Sequence, residues 1–73
     1  LQDGLVSFEF AQGLAILRTL PGYASSIASA LDSMNIVEIA GTIAGDDTIL
    51  IIPRDGATRE AVIEQLSAVM PGI

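Results

Sequence analysis

The chain has 73 residues, room for one small domain (1–73), and 51% of them are apolar against only 16% charged. Nine acids stand against three arginines and no lysine, a formal charge of −6, and there is neither cysteine nor histidine. These counts exclude disulfides, thiolate or imidazole metal sites and Ser-His-Asp or Cys-His catalysis, and the negative field repels a phosphate backbone.

A domain this small buries only about 60% of the surface its unfolded chain exposes. The apolar share therefore exceeds what one thin core hides, and self-association is the expected remedy. No apolar run approaches the ~18 residues of a membrane span, and no basic, greasy leader opens the chain. The expected setting is the cytoplasm, with no membrane partner. A start at Leu1 instead of Met fits a piece of a longer protein. The acidic balance favours a cationic ligand, or simply keeps a hydrophobic domain soluble.

From Leu5 to Phe10, Val6, Phe8 and Phe10 alternate with Ser7 and Glu9, a strand with one buried face. Ala11, Gln12 and Gly13 interrupt it, and Leu14 to Leu20 forms the second strand of a hairpin, apolar on both faces apart from Arg18. Pro21-Gly22 breaks that strand. A helix then runs from Tyr23 to near Asn35, with Tyr23, Ile27, Ala30, Leu31 and Met34 on one side and Ala24 and Ala28 beside them. Ser25, Ser29 and Asp32 form a separate polar line, which is either a solvated face or one wall of a polar pocket.

Val37 to Ala44 is the third strand, and Thr48 to Pro53 the fourth, whose unbroken apolar run implies burial on both faces. Between them Gly45-Asp46-Asp47 reads as a turn, because Gly accepts positive φ and Asp bonds its own backbone. Thr58 is the N-cap of a last helix through Met70, with Val62, Leu66 and Val69 inward, Ile63 and Met70 flanking, and Pro71-Gly72 as the stop. The order β-β-α-β-β-α predicts an α+β, two-layer domain: a four-stranded, mainly antiparallel sheet with both helices on one face and the other face bare.

Asp46 and Asp47 are the only concentrated charge in the chain. They make the turn and nothing else, or hold a divalent cation through oxygen ligands, or receive a guanidinium or ammonium group. For an amino acid with a cationic side chain, two carboxylates divide the work between the guanidinium and the α-amino group. So short a chain does not enclose such a ligand, and a subunit interface would complete the pocket.

The segment Gly41-Thr42-Ile43-Ala44-Gly45-Asp46-Asp47-Thr48-Ile49 resembles the signature of the C-terminal domain of bacterial arginine repressors. Leu17-Arg18-Thr19-Leu20-Pro21-Gly22, followed by a helix ending Leu31-Asp32-Ser33, is similar to the family's other recurrent stretch. The likeness covers nearly the whole chain. It implies a domain that forms trimers, two of which stack as a hexamer with L-arginine, the co-repressor, bound between them. It also implies an N-terminal winged-helix DNA-binding domain, absent from this chain, through which alone DNA is contacted. Carried onto this sequence, Asp46 and Asp47 supply the carboxylates, one of them reaching arginine held mainly by the facing trimer. Thr42 and Ala44 line the pocket, and Ala28 and Asp32 contribute from the first helix. Two departures stand out. Ser25 occupies a place where many members have a longer Gln or His that contacts the α end of the ligand, and the link from Asp32 to Gly41 is one residue shorter than in some members.

The resemblance thus implies an arginine-sensing, hexamerising regulatory domain of arginine metabolism. The competing reading is a structural oligomerisation module with an incidental acidic turn. No nucleophile-base pair and no clustered metal ligands support an enzyme, so no catalytic residue, metal or catalytic cofactor is expected.

Overall fold

Gln12 and Gly13 both adopt left-handed φ (54° and 74°), the two-residue hairpin geometry whose twist matches that of the strands it joins. They set β1 (Leu5–Ala11) against β2 (Leu14–Thr19), with Ala11 opposite Leu14 and Phe8 opposite Leu17. The computed structural model describes residues 3–73. After β2 come α1 (Ala24–Ser33), β3 (Ile39–Ala44), β4 (Thr48–Pro53) and α2 (Arg59–Val69), the β-β-α-β-β-α order expected. The strands lie in the order β1-β2-β4-β3, every neighbour antiparallel, so the two apolar strands β2 and β4 hold the centre and the two hairpins meet along them.

Both helices cover one face of this sheet. Ala15 and Leu17 of β2 and Ile49 and Ile51 of β4 form a single core with Ala24, Ile27, Ala28 and Leu31 of α1 and Val62, Leu66 and Met70 beside and within α2. Leu17, Ile49, Ile51, Val62, Leu66 and Met70 are fully buried. Small residues at 24 and 28 let α1 approach the sheet closely, and its inward stripe is therefore 24, 27, 28 and 31, at i, i+3, i+4 and i+7.

Several side chains stand differently from the expectation, each for a local reason. Tyr23 and Met34 are the residues flanking α1 at its two ends, not members of its inward stripe, and both are exposed. A bulge between Leu5 and Ser7 turns Leu5 toward the core and leaves Val6 exposed. Val37 is exposed because residues 37 and 38 form a turn and β3 begins only at Ile39. At the end of α2 it is Met70, spaced four residues from Leu66, that is fully buried, while Val69 packs at the margin of the core.

Among the described residues no helix lies over the opposite face of the sheet. Leu14 and Ile16 of β2 and Leu50 and Ile52 of β4 are half-buried there, Arg18 is exposed, and Ile43 of β3, opposite Leu50, is 63% exposed. Burial of β4 on both sides is thus realised on the helix side only, and its outer residues rest half in water.

Candidate ligand-binding site

The acidic turn is fixed through its backbone, which leaves its carboxylates outward. The Gly45 N–H donates to the Thr48 carbonyl at 2.8 Å and closes the β3–β4 loop. Gly45 does not use the left-handed φ anticipated for it, since the glycines with positive φ among the described residues are Gly4, Gly13, Gly22 and Gly56. The Asp47 carbonyl accepts from the Thr19 N–H at 2.7 Å, and the Asp46 carbonyl accepts from the N–H groups of Gly22 at 3.0 Å and Ala24 at 3.4 Å. Ala24 is the first residue of α1, whose N-cap Tyr23 offers no side-chain hydrogen bond. The turn therefore supplies an acceptor at a helix start that needs one, and it lies at the N-terminal end of α1, beside the exposed Ser25.

Asp46 and Asp47 are both exposed. Thr48 donates its hydroxyl hydrogen to Asp47 Oδ1 at 3.0 Å and accepts from Arg18 Nη1 at 3.3 Å. The direction of this relay is fixed, because a guanidinium only donates and a carboxylate only accepts. Arg18 and Thr48 face each other across β2 and β4 on the bare side of the sheet. Arg18 thus reaches an acid of the turn through Thr48.

At the other end of α1, the Thr42 hydroxyl donates to Asp32 Oδ1 at 2.8 Å, tying β3 to the last turn of the helix. Ala28 is buried and Ala44 is half-buried against the core. Asp32 also lines a cavity of about 330 Å³ together with Asn35, Gly41 and Arg54. Arg54, just past β4, donates from Nε to the Val37 carbonyl at 2.9 Å and from Nη2 to the Ile39 carbonyl at 3.2 Å, while its own N–H donates to the Glu38 carbonyl at 2.9 Å.

The structure thus brings Asp32 to Thr42, and Asp46, Asp47 and Ser25 to one end of α1, but it does not bring these two sets to one point. Residues 24 and 32 are eight apart, which at 1.5 Å per residue is about 12 Å along the helix. Arg54 was not anticipated at the site, and Thr48 was anticipated only as part of the Gly41–Ile49 stretch, without its link to Arg18. Arg54 had one sequence signal, being one of only three cations in an acidic chain, but nothing in its spacing tells that it returns to the α1–β3 connection. Among the described residues no group of three His, Cys, Asp or Glu side chains is placed to hold a metal ion.

The sequence profile of the family described as "Arginine repressor, C-terminal domain" matches residues 1–68. The chain belongs to the arginine repressor C-terminal domain family. It is 49% identical to the arginine repressor of Phocaeicola vulgatus over 73 residues, which is all of this chain and 46% of that protein. It is 56% identical to the arginine repressor of Parabacteroides distasonis over 61 residues, 84% of this chain and 42% of that one. With the arginine repressor of Acetivibrio thermocellus the identity is 48% over 62 residues, 85% and 40% of the two chains. The chain spans about half the length of these curated relatives.

Proposed function

We propose that this domain is the arginine-sensing and assembly part of a cytoplasmic transcriptional regulator of arginine metabolism, with no catalytic activity of its own. L-Arginine is its co-repressor, bound between two trimers of a homohexamer, and DNA is contacted through a winged-helix domain outside this chain. The observation that carries the reading is the separation of the two acidic sets by about 12 Å along α1. One chain offers the Asp32–Thr42 pair at one end of the helix and the Asp46–Asp47 carboxylates at the other, too far apart to grip the same end of one small amino acid. Each set is half a site, and a facing subunit supplies the missing half. Thr42, Ala44, Ala28 and Asp32 then line the part contributed by one subunit, and Asp46 or Asp47 reaches in from another. Ser25, too short to touch the α end of the ligand directly, leaves room for a water there.

Assembly and sensing are linked by mass action. A ligand that contacts two trimers at once binds the hexamer and not its halves, so its binding free energy stabilises the hexamer. The bare sheet face, with Ile16 and Leu50 at its centre and the exposed Ile43 on the edge strand β3, supports association within the trimer independently of ligand. A module that assembles but binds nothing would share that face.

Calorimetry separates the two. Leaving one partner of a desolvated carboxylate-guanidinium pair unmatched costs about 3–5 kcal/mol. Asp46→Asn or Asp47→Asn is therefore expected to weaken L-arginine binding by two orders of magnitude or more, roughly, with the trimer intact. Wild-type affinity in both variants would sink the proposal, and so would the absence of any L-arginine heat in the unaltered protein.

A further inference from the structure

Tyr23 is an unusual residue for the N-cap of α1. Ser, Thr, Asp and Asn are favoured there because their side chains accept from the first free N–H groups of a helix, and Tyr23 makes no such bond. It stands outside the core as well, and is 43% exposed. Its ring lies instead against Gly4, the residue before β1, where an added β-carbon would collide with Cγ, Cδ2 and Cε2 of the ring. Gly4 also has a φ of 87°, which favours glycine on its own account. Gly13, Gly22 and Gly56 share a positive φ but have open space where a β-carbon would stand. Gly4 is therefore held by a contact and not by a turn alone.

The segment that carries Tyr23 is bonded in two directions. Toward the acidic turn, the Thr19 N–H donates to the Asp47 carbonyl, and the Gly22 and Ala24 N–H groups donate to the Asp46 carbonyl. Toward the chain entering β1, the Leu20 N–H donates to the Gly4 carbonyl at 2.7 Å and the Tyr23 ring covers Gly4. Thr19 and Leu20 are adjacent, and the Tyr23 N–H closes the segment on the Leu20 carbonyl at 3.2 Å. Residues 19–24 are thus one short piece of backbone gripped on both sides, and opening it on one side disturbs the other.

We propose that Tyr23 is a positioning residue that couples the chain entering β1 at Gly4 to the acidic turn. The inference rests on the arginine-binding reading above. A ligand on the turn carboxylates favours the closed arrangement of residues 19–24 over its locally opened forms. The contact of Tyr23 with Gly4 passes that bias to the entering chain, whose direction is held most firmly when the turn is occupied. By reciprocity, order at Gly4 favours the ligand.

Hydrogen–deuterium exchange resolved to single amides, on the protein carrying this chain with and without L-arginine, tests the coupling. At a free L-arginine concentration of about 100 Kd, the Thr19, Gly22 and Ala24 amides should slow by roughly tenfold or more, and the Leu20 amide with them. The Ala61 amide, capped by Thr58, is the control and should not change. In Tyr23→Ala the Leu20 amide loses its response while the Thr19, Gly22 and Ala24 amides keep theirs. Tyr23→Phe, which retains the ring, keeps all four. Gly4→Ala, whose β-carbon displaces the ring, reproduces the loss. A purely stabilising role for Tyr23 would leave the Leu20 response in place. Should one alanine variant lose its circular-dichroism signature, the other decides, and the unaltered protein must show the response in either case. An unresponsive Leu20 amide in the unaltered protein, or an undiminished response in a folded Tyr23→Ala or Gly4→Ala, overturns the coupling and leaves arginine binding standing. If calorimetry finds no L-arginine binding to the unaltered protein, the arginine-binding reading falls, and this inference with it.

Discussion

Ile43→Thr tests whether the bare face of the sheet is where subunits meet. Full burial of an isoleucine side chain is worth about 1.5–3 kcal/mol. Ile43 is 63% exposed in the single chain, so roughly 1–2 kcal/mol per subunit is still to be gained by covering it. Threonine forfeits about half of that and brings a hydroxyl whose unmet burial costs about 1–3 kcal/mol, a sum near 2 kcal/mol per subunit. Over a trimer this is roughly 6 kcal/mol, about four orders of magnitude in the association constant. The substitution spares the core, in which Ile43 takes no part, and threonine keeps the β-branched shape a strand favours. Sedimentation velocity over a dilution series is the assay: the variant should dissociate at concentrations where the unaltered protein is still assembled, with its circular dichroism preserved. Coincident dissociation profiles would move the subunit contact to another surface.

Three further substitutions probe the parts of the domain separately. Thr58→Ala removes the side-chain acceptor that the Ala61 N–H meets at 3.1 Å, and should lower stability toward urea by about 1 kcal/mol with L-arginine affinity unchanged. Leu66→Ala opens a cavity between α2 and the sheet at a fully buried position and should cost about 2–5 kcal/mol in the same measurement. Thr42→Val keeps the strand and loses the hydrogen bond to Asp32. Stability should fall by about 1 kcal/mol or less at this exposed contact, whereas calorimetry should show a larger fractional loss of L-arginine affinity; a loss of stability with full affinity would place the pair outside the site.

Element order and sheet architecture were legible because the apolar periods are strong and the breaks are explicit. Gln12-Gly13, Pro21-Gly22 and Thr58 each mark a boundary within a residue or two of where the chain turns. The misplacements concern side chains whose direction depends on irregularities that no periodic pattern encodes. Val6 is reversed by a bulge, and Val37 is drawn out of the strand by a turn whose carbonyls are held from Arg54, 17 residues away. For the candidate site, the acids themselves were conspicuous in the sequence. Their arrangement was not, because it depends on α1 running beside β3, with Thr42 delivered to Asp32 while the turn is carried to the opposite end of the helix. Arg54, and the link from Thr48 to Arg18, enter only through contacts that sequence spacing does not display.

On the proposed function, L-arginine binding and assembly are one equilibrium, with each site shared between subunits. Native mass spectrometry of the protein carrying this chain, recorded with and without L-arginine, tests it most directly. Trimers and hexamers are expected, with a hexamer share that rises with L-arginine and bound arginine retained on the hexamer and not on the trimer. An unchanged mass distribution with no bound ligand would contradict it, as would arginine held with equal occupancy by a single chain.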